Sequence, residues 1–261
     1  MFNSKVFAAE FIGTFALVFI GASSGIVSGG NLVAIALGHG LTLAVFVYAY
    51  GHISGTHVNP AVTFGIALQG GVKWGEAVIS YWVPQFLGAI GAAFMVRTFI
   101  VPLSVEAFAN TATFGALNAA FPYHAMGLEI LLTFFLVNTI LHTVVSGKGG
   151  QFSGLAIGLT LAIAILAGGP LTGASLNPAR TFGPAVFTGS WNQPMTYMIY
   201  FLGPLFGSTL AVMLYQFFNK EDEEPMVVEV MPEPVEEPVA RKATAKKTTT
   251  RKATASKTTK K

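Results

Sequence analysis

The tripeptide Asn-Pro-Ala occurs twice in this chain of 261 residues, at Asn59-Pro60-Ala61 and at Asn177-Pro178-Ala179. Asparagine is a favoured helix N-cap and proline suits the first helical position, so each tripeptide predicts the start of a helix. The apolar stretches at about 59–69 and 177–187 are too short to cross a membrane but long enough to reach its midplane. An amide at such a helix start can donate hydrogen bonds to a neutral solute, while the positive helix end repels a cation.

The chain up to residue 218 is strongly apolar and carries few charges. Only nine charged side chains occur there, far below the roughly one-quarter of residues that are charged in soluble domains. Nearly uncharged runs of about 20 residues, the length that crosses a hydrocarbon core, recur six times. They predict membrane spans near 6–28, 31–51, 75–98, 124–146, 152–170 and 194–218. The first run lacks the arrangement of a secretory signal peptide, so we expect a retained helix.

The two halves of this membrane region repeat each other in sequence and in spacing. AEFIGTFALVF at 9–19 matches GLEILLTFFLV at 127–137, and GLTLAV at 40–45 matches GLTLAI at 158–163. A unit of three spans enters the membrane from opposite sides in its two copies, so an axis in the membrane plane must relate them. We therefore predict an all-α membrane protein with six transmembrane helices and two re-entrant half-helices, which meet N-terminus to N-terminus beside an aqueous path.

The domain organisation follows from the same patterns. We predict a membrane domain at 1–219, with repeat one at about 5–98 and repeat two at about 124–218. From residue 220 the chain is first acidic and Pro-rich and then basic, so we expect a disordered tail at 220–261. The basic residues outside the spans that lie on one side are Lys5, Lys73, Lys148 and those of the tail. Both termini are therefore predicted to be cytoplasmic.

Several kinds of chemistry are excluded by what the sequence lacks. Without cysteine there is no disulfide, thiolate metal site or thiol nucleophile. No acid–base pair or metal-ligating cluster occurs at workable spacing, so we expect no enzyme, cofactor or metal. The basic excess lies in the tail, and we expect no nucleic-acid partner. A secondary transporter would share the topology, but it needs a coupling-ion site, and the carboxylates deep within the spans are only Glu10 and Glu129.

Both tripeptides, the opening AEFIGTF, the segment SGTHVNPAVT and Arg180 directly after the second tripeptide together resemble an aquaporin of the major intrinsic protein family. The resemblance covers essentially residues 5–218. It implies six tilted helices, two half-helices and one pore in each subunit of a homotetramer. It also implies that Glu10 and Glu129 are buried structural residues that hold loop backbone.

The resemblance further implies an outer constriction that sets the selectivity of the pore. Motif spacing places four residues in it: His39, Ile165, Ala174 and Arg180. This set is similar to that of some plant tonoplast intrinsic proteins. Glycerol facilitators typically have an aromatic pair in the constriction and Asp directly after the arginine, whereas this chain has Thr181 at the latter position.

These observations together predict a passive transmembrane channel that excludes protons and ions. Its solutes would be water and other small neutral molecules, such as ammonia, hydrogen peroxide and urea. A glycerol-type solute facilitator is the first alternative, and an inverted-repeat secondary transporter is a weaker one. The expected partners are these solutes, the lipid bilayer and further copies of the chain. We predict an integral, multi-pass protein of the cell membrane.

Overall fold

Six long helices account for the part of the chain that crosses the membrane. The computed structural model describes residues 2–102 and 104–220, so the predicted tail lies, apart from Lys220, outside the described residues. The long helices have 23 to 27 residues. At 1.5 Å per residue they reach about 35 to 40 Å, enough to cross a core of about 30 Å with some tilt. They are Ser4–Val27, Leu32–Ser54, Trp74–Ile100, Pro122–Val145, Gly150–Thr172 and Pro194–Phe218, called spans 1 to 6 below. The six predicted spans are confirmed.

Two shorter helices begin at the Asn-Pro-Ala tripeptides. The first half-helix is Pro60–Leu68 and the second is Pro178–Thr188, and lengths of about 14 and 17 Å are too short to cross the bilayer. The side chain of Asn59 caps the first and that of Asn177 caps the second. The remaining short elements are Val105–Ala109 and Leu117–Ala120 between spans 3 and 4, and a 3₁₀ turn at Ser190–Asn192 before span 6.

Spans 3 and 6 each contain a wider, π-helical turn at corresponding places in the two halves. These turns are Ala77–Trp82 and Met198–Leu202, and a third, Leu141–Val145, ends span 4. Within them, Tyr81 donates a hydrogen bond to the carbonyl of Ser54 at 3.0 Å, and Tyr200 donates one to the carbonyl of Thr172. Ser54 and Thr172 end spans 2 and 5, so the tyrosines anchor the points where the chain enters the two loops before the half-helices.

The spans pack as two groups of three. Span 1 packs against spans 2 and 3, span 4 packs against spans 5 and 6, and spans 2 and 5 join the two groups. Each half-helix packs against the opposite group. The first contacts span 6, where the Ser208 hydroxyl donates to the carbonyl of Ala61 at 2.7 Å, and the second contacts span 3. The half-helices therefore tie the two halves of the molecule together.

The outward faces of the spans are apolar. The side chains of Val45, Ile163 and Met213 are about 60% exposed. Many other large apolar side chains of the spans are exposed to a lesser degree. A contiguous apolar surface of this kind is unfavourable in water but is at home in the hydrocarbon core of a bilayer. The chain is an integral, multi-pass membrane protein.

Spans 2 and 5 cross on a reciprocal pair of glycines. A Cβ atom built on Gly40 would lie 2.5 Å from the carbonyl oxygen of Gly158, and one built on Gly158 would lie 2.3 Å from the carbonyl oxygen of Gly40. Each glycine begins one copy of the repeated segment at 40–45 and 158–163. Since equivalent residues of the two halves touch each other here, the crossing lies on the axis that relates them.

The Gly40→Ala substitution should destabilise the fold by about 1–3 kcal/mol, because the added methyl group would force the two backbones apart. Gly51→Ala, in the same span, is the control, since a Cβ atom there meets no heavy atom within 4 Å. Thermal unfolding of the purified protein in detergent measures the difference. A midpoint for Gly40→Ala equal to that of Gly51→Ala would contradict the close crossing.

Candidate functional site

Each half-helix follows an extended loop that runs at membrane depth. In the first loop, Thr56 and Val58 have positive φ angles of 49° and 43°, and in the second, Ala174 and Leu176 have 41° and 56°. None of these residues is glycine, so each conformation costs on the order of 1–3 kcal/mol. Such backbone persists only where its surroundings fix it, and the groups bonded to the loops must therefore supply that restraint.

Glu10 of span 1 restrains the first loop. Its carboxylate is fully buried and accepts four hydrogen bonds. Two come from the backbone amides of His57, at 2.9 Å, and Val58, at 2.7 Å. The other two come from the Ser54 hydroxyl at 2.7 Å and from the Gln85 side-chain amide at 2.8 Å. The Glu10 carboxylate therefore holds the backbone of the first loop in place.

Glu129 of span 4 restrains the second loop in the same way. Its fully buried carboxylate accepts hydrogen bonds from the backbone amides of Ser175, at 2.9 Å, and Leu176, at 2.8 Å. A third bond comes from the Thr172 hydroxyl at 2.7 Å. The two glutamates occupy corresponding places in the repeats and bond corresponding loop residues.

The two tripeptide asparagines bond reciprocally across the centre of the molecule. The amide nitrogen of Asn59 donates to the carbonyl of Leu176 at 2.8 Å, and that of Asn177 donates to the carbonyl of Val58 at 2.8 Å. Their side-chain oxygens cap the half-helices, accepting from the backbone amides of Ala61 and Ala179. A primary amide carries two hydrogens. Within the described residues one hydrogen of each amide is bonded to protein, which leaves the second for a solute.

Two cavities of very different size meet inside the molecule. A vestibule has a volume of about 440 Å³, and a narrow lumen has a volume of about 20 Å³. A single water needs roughly 10–15 Å³ on this measure, so the lumen has room for one or two waters at a time. Both tripeptide asparagines line the lumen. Its apolar lining comes from the spans and the first half-helix, and includes Leu17, Leu43, Val62, Leu136, Ile140 and Leu161.

The residues predicted for the outer constriction lie where these cavities meet. Among the described residues, His39, Ile165 and Arg180 line both the vestibule and the lumen, and Ala174 lines the lumen. The His39 ring is fixed by a 2.9 Å contact between its Nδ1 and the carbonyl of Ile35. Because a carbonyl only accepts, Nδ1 carries the hydrogen of this contact. Arg180 donates from Nη1 to the hydroxyl of Thr113.

Two residues that line the vestibule, Gly21 and Thr113, were not among those predicted from the sequence. Thr113, which holds Arg180, lies in the connection between spans 3 and 4, and no local pattern marks it. Gly21 of span 1 makes room for the His39 ring, since a Cβ atom there would lie 2.2 Å from its Nε2. His57 lines the lumen and its Nδ1 lies 3.1 Å from the Thr63 hydroxyl.

The arrangement is that of a membrane channel with a polar centre and a narrow, mostly apolar wall. Within residues 2–102 and 104–220, no group of three or more His, Asp or Glu residues could hold a metal ion. A family model described as "Major intrinsic protein" matches residues 1–215. The chain belongs to the major intrinsic protein family. It is a passive channel for water and small neutral solutes and not an enzyme, as the sequence predicted.

Individual relatives agree with this assignment over most of their length. Aquaporin TIP1-2 from Zea mays is 40% identical over 226 residues, which cover 82% of this chain and 85% of that protein. The glycerol uptake facilitator protein-like 6 from Lactiplantibacillus plantarum is 36% identical over 221 residues, which cover 84% of this chain and 100% of that protein. The X-ray structure of the aquaglyceroporin from Plasmodium falciparum superimposes with a TM-score of 0.66 at 25% identity, covering 84% of this chain and 96% of that one.

The Glu129→Ala substitution should destabilise the protein by several kcal/mol, because it leaves two buried backbone N–H groups without an acceptor at about 1–3 kcal/mol each. Glu129→Gln keeps one carbonyl oxygen as an acceptor and should destabilise the protein less than Glu129→Ala does. The exposed Glu106→Ala is the matched control. Thermal midpoints in detergent provide the measurement, and a midpoint for Glu129→Ala close to that of Glu106→Ala would show that the carboxylate does not hold the loop.

Proposed function

We propose that water is the main solute of this channel and that it crosses between Asn59 and Asn177. The observation that carries this proposal is the pair of reciprocally bonded amides at a lumen of about 20 Å³, each with one hydrogen left for a solute oxygen. A water whose oxygen accepts from both amides must direct its own hydrogens away from them. A continuous chain of hydrogen-bonded waters, along which a proton could move, is interrupted there.

The half-helices supply the barrier to ions. Each helix N-terminus carries about half a positive charge, and both face the centre of the molecule. At about 5 Å and an effective dielectric constant of about 20, each end repels a monovalent cation by roughly 1.7 kcal/mol, or about 3 kcal/mol together. Loss of hydration in a narrow apolar lumen adds several kcal/mol more. A neutral solute experiences little of this barrier.

We further propose that four residues form the selectivity constriction: His39, Ile165, Ala174 and Arg180. Their position between the vestibule and the lumen supports this assignment. Arg180 supplies a fixed positive charge and hydrogen-bond donors, and His39 supplies one more polar group. Ile165 leaves the opposite wall apolar, and small neutral solutes such as ammonia, hydrogen peroxide and urea are the expected additional substrates.

The sequence leaves one alternative substrate and one alternative mechanism. Glycerol is the alternative solute, and the relative from Lactiplantibacillus plantarum is named a glycerol uptake facilitator-like protein. A coupled transporter would need a carboxylate that can bind and release an ion or a proton. Glu10 and Glu129 are fully buried and bonded to loop backbone, which argues against that use.

Osmotic shrinkage of proteoliposomes that contain the full-length chain tests the proposal. Stopped-flow light scattering should show water flux that rises in proportion to the amount of protein and does not saturate. Isosmotic gradients of glycerol, urea, hydrogen peroxide and methylamine then rank the neutral solutes, with protein-free liposomes as the control. A glycerol rate per channel above the water rate would favour the facilitator, and saturable, gradient-coupled flux would favour the transporter.

Combined His39→Ala and Arg180→Val substitutions should widen the constriction and raise cation flux relative to water at least about tenfold. A unit charge at about 8 Å contributes roughly 2 kcal/mol to cation exclusion at an effective dielectric of about 20. The control pair is His124→Ala with Arg97→Val, since both residues are exposed and outside the lumen. Ion and solute flux in proteoliposomes is the readout. Unchanged selectivity in a folded double variant would refute the assignment of these two residues.

The assembly and the membrane of residence are also proposals. We propose a homotetramer in the cell membrane, with both termini and the tail at 220–261 on the cytoplasmic side. Family resemblance supports the tetramer, and the basic residues outside the spans support the orientation. Native mass spectrometry of the detergent-purified protein measures the assembly. The relatives named TIP, for tonoplast intrinsic protein, suggest the vacuolar membrane instead. Finding a tagged full-length chain there would contradict the cell-membrane assignment.

A further inference from the structure

The guanidinium group of Arg180 is held by a side chain from outside the half-helices. Its Nη1 donates to the hydroxyl oxygen of Thr113, a buried residue in the connection between spans 3 and 4. The hydroxyl of Thr181, the next residue after the arginine, donates to the same oxygen at 3.1 Å. A hydroxyl oxygen has two lone pairs. Both are occupied, so the Thr113 oxygen is a fixed acceptor for the arginine.

The contact continues toward the second tripeptide. The hydroxyl of Ser175 donates to the hydroxyl oxygen of Thr181, 2.5 Å away, and the Ser175 oxygen accepts from the backbone amide of Asn177 at 3.3 Å. Thr113, Thr181 and Ser175 therefore form a hydroxyl chain from the arginine to the backbone that carries the pore asparagine. Chains of hydrogen bonds in a low-dielectric interior strengthen one another.

In the first repeat, the equivalent threonine hydroxyl has a different hydrogen-bond partner. Thr63 follows Asn59 at the distance at which Thr181 follows Asn177, and its hydroxyl accepts from the Gln85 amide at 2.9 Å. Gln85 stands four residues after the anchoring tyrosine of span 3, whereas Pro204 stands four residues after that of span 6. Proline has no side-chain donor. Among the hydrogen bonds of the described residues, the Thr181 hydroxyl bonds to Thr113 of the loop, which takes the place that Gln85 has in the first repeat.

We propose that Thr113 is a positioning residue for Arg180 and thereby sets which neutral solutes pass. The inference rests on the proposed role of Arg180 in the constriction. The Thr113 hydroxyl holds the guanidinium against one wall, and Thr181 holds the Thr113 hydroxyl in place. Without this acceptor the arginine side chain gains other rotamers, and the opening between it and Ile165 no longer has one fixed width.

The test compares Thr113→Val, which keeps the shape but removes the acceptor, with Thr113→Ser, which restores it. Thr111→Val is the matched control, since Thr111 lines the same vestibule but its hydroxyl donates to the Phe108 carbonyl at 2.7 Å. The readout is the ratio of glycerol to water permeability per channel in proteoliposomes. A hydrogen bond to a charged group shifts a side-chain population about tenfold, so we expect Thr113→Val to raise this ratio at least about threefold. Thr113→Ser and Thr111→Val should leave it unchanged.

A double-mutant cycle tests the coupling to Thr181. If Thr181 acts through Thr113, the Thr113→Val and Thr181→Val pair should show the ratio of Thr113→Val alone. Additive effects would overturn the coupling, and an unchanged ratio in Thr113→Val would overturn the proposal itself. If Thr113→Val does not reach the membrane, the glycerol-to-water permeability ratio of Thr113→Ala tests the proposal in its place. If neither variant accumulates, Thr113 is required for folding and the proposal is overturned. Absence of water flux in the unmodified protein would refute the proposed function, which is a separate result.

Discussion

The structure depends on one requirement: two loops of irregular backbone lie at membrane depth, where no bilayer group can satisfy their N–H and C=O groups. The buried carboxylates of Glu10 and Glu129 meet this requirement by accepting from consecutive loop amides. Burying a charge is favourable only when it is fully hydrogen-bonded, and these loops provide the donors. The restraint also holds the left-handed residues of each loop and places the asparagines at the centre.

The chemistry of the channel follows from that placement. A fixed pair of amides and two helix N-termini present donors and positive potential without any mobile charge. In the proposed mechanism a water binds through its oxygen and leaves easily, since the two asparagine amides form no ionic bond with it. A cation meets the same groups as a barrier. In this proposal, passage of water and exclusion of ions come from one arrangement of neutral groups.

The scaffold and the proposed selectivity residues come from different parts of the sequence. The repeated elements, which include the glycine crossing, the anchoring tyrosines, the glutamates and the tripeptides, build the frame. The residues that we propose for selectivity lie where the repeat is broken. The first repeat has Val62 where the second has Arg180, three residues after the tripeptide asparagine, and it has Gln85 where the second has Pro204. One end of the lumen thereby differs from the other.

The sequence by itself determined the six spans, the two half-helices, the inverted repeat and the family. Span length, helix capping and repeated spacing can all be read along the chain without knowing which residues are in contact. The tail at 220–261 and the tetramer stay predictions. Only the tertiary structure decided that each asparagine bonds the opposite loop, that Gly21 makes room for His39 and that Thr113 holds Arg180. These partners lie far apart in the chain, and helix packing alone brings them together.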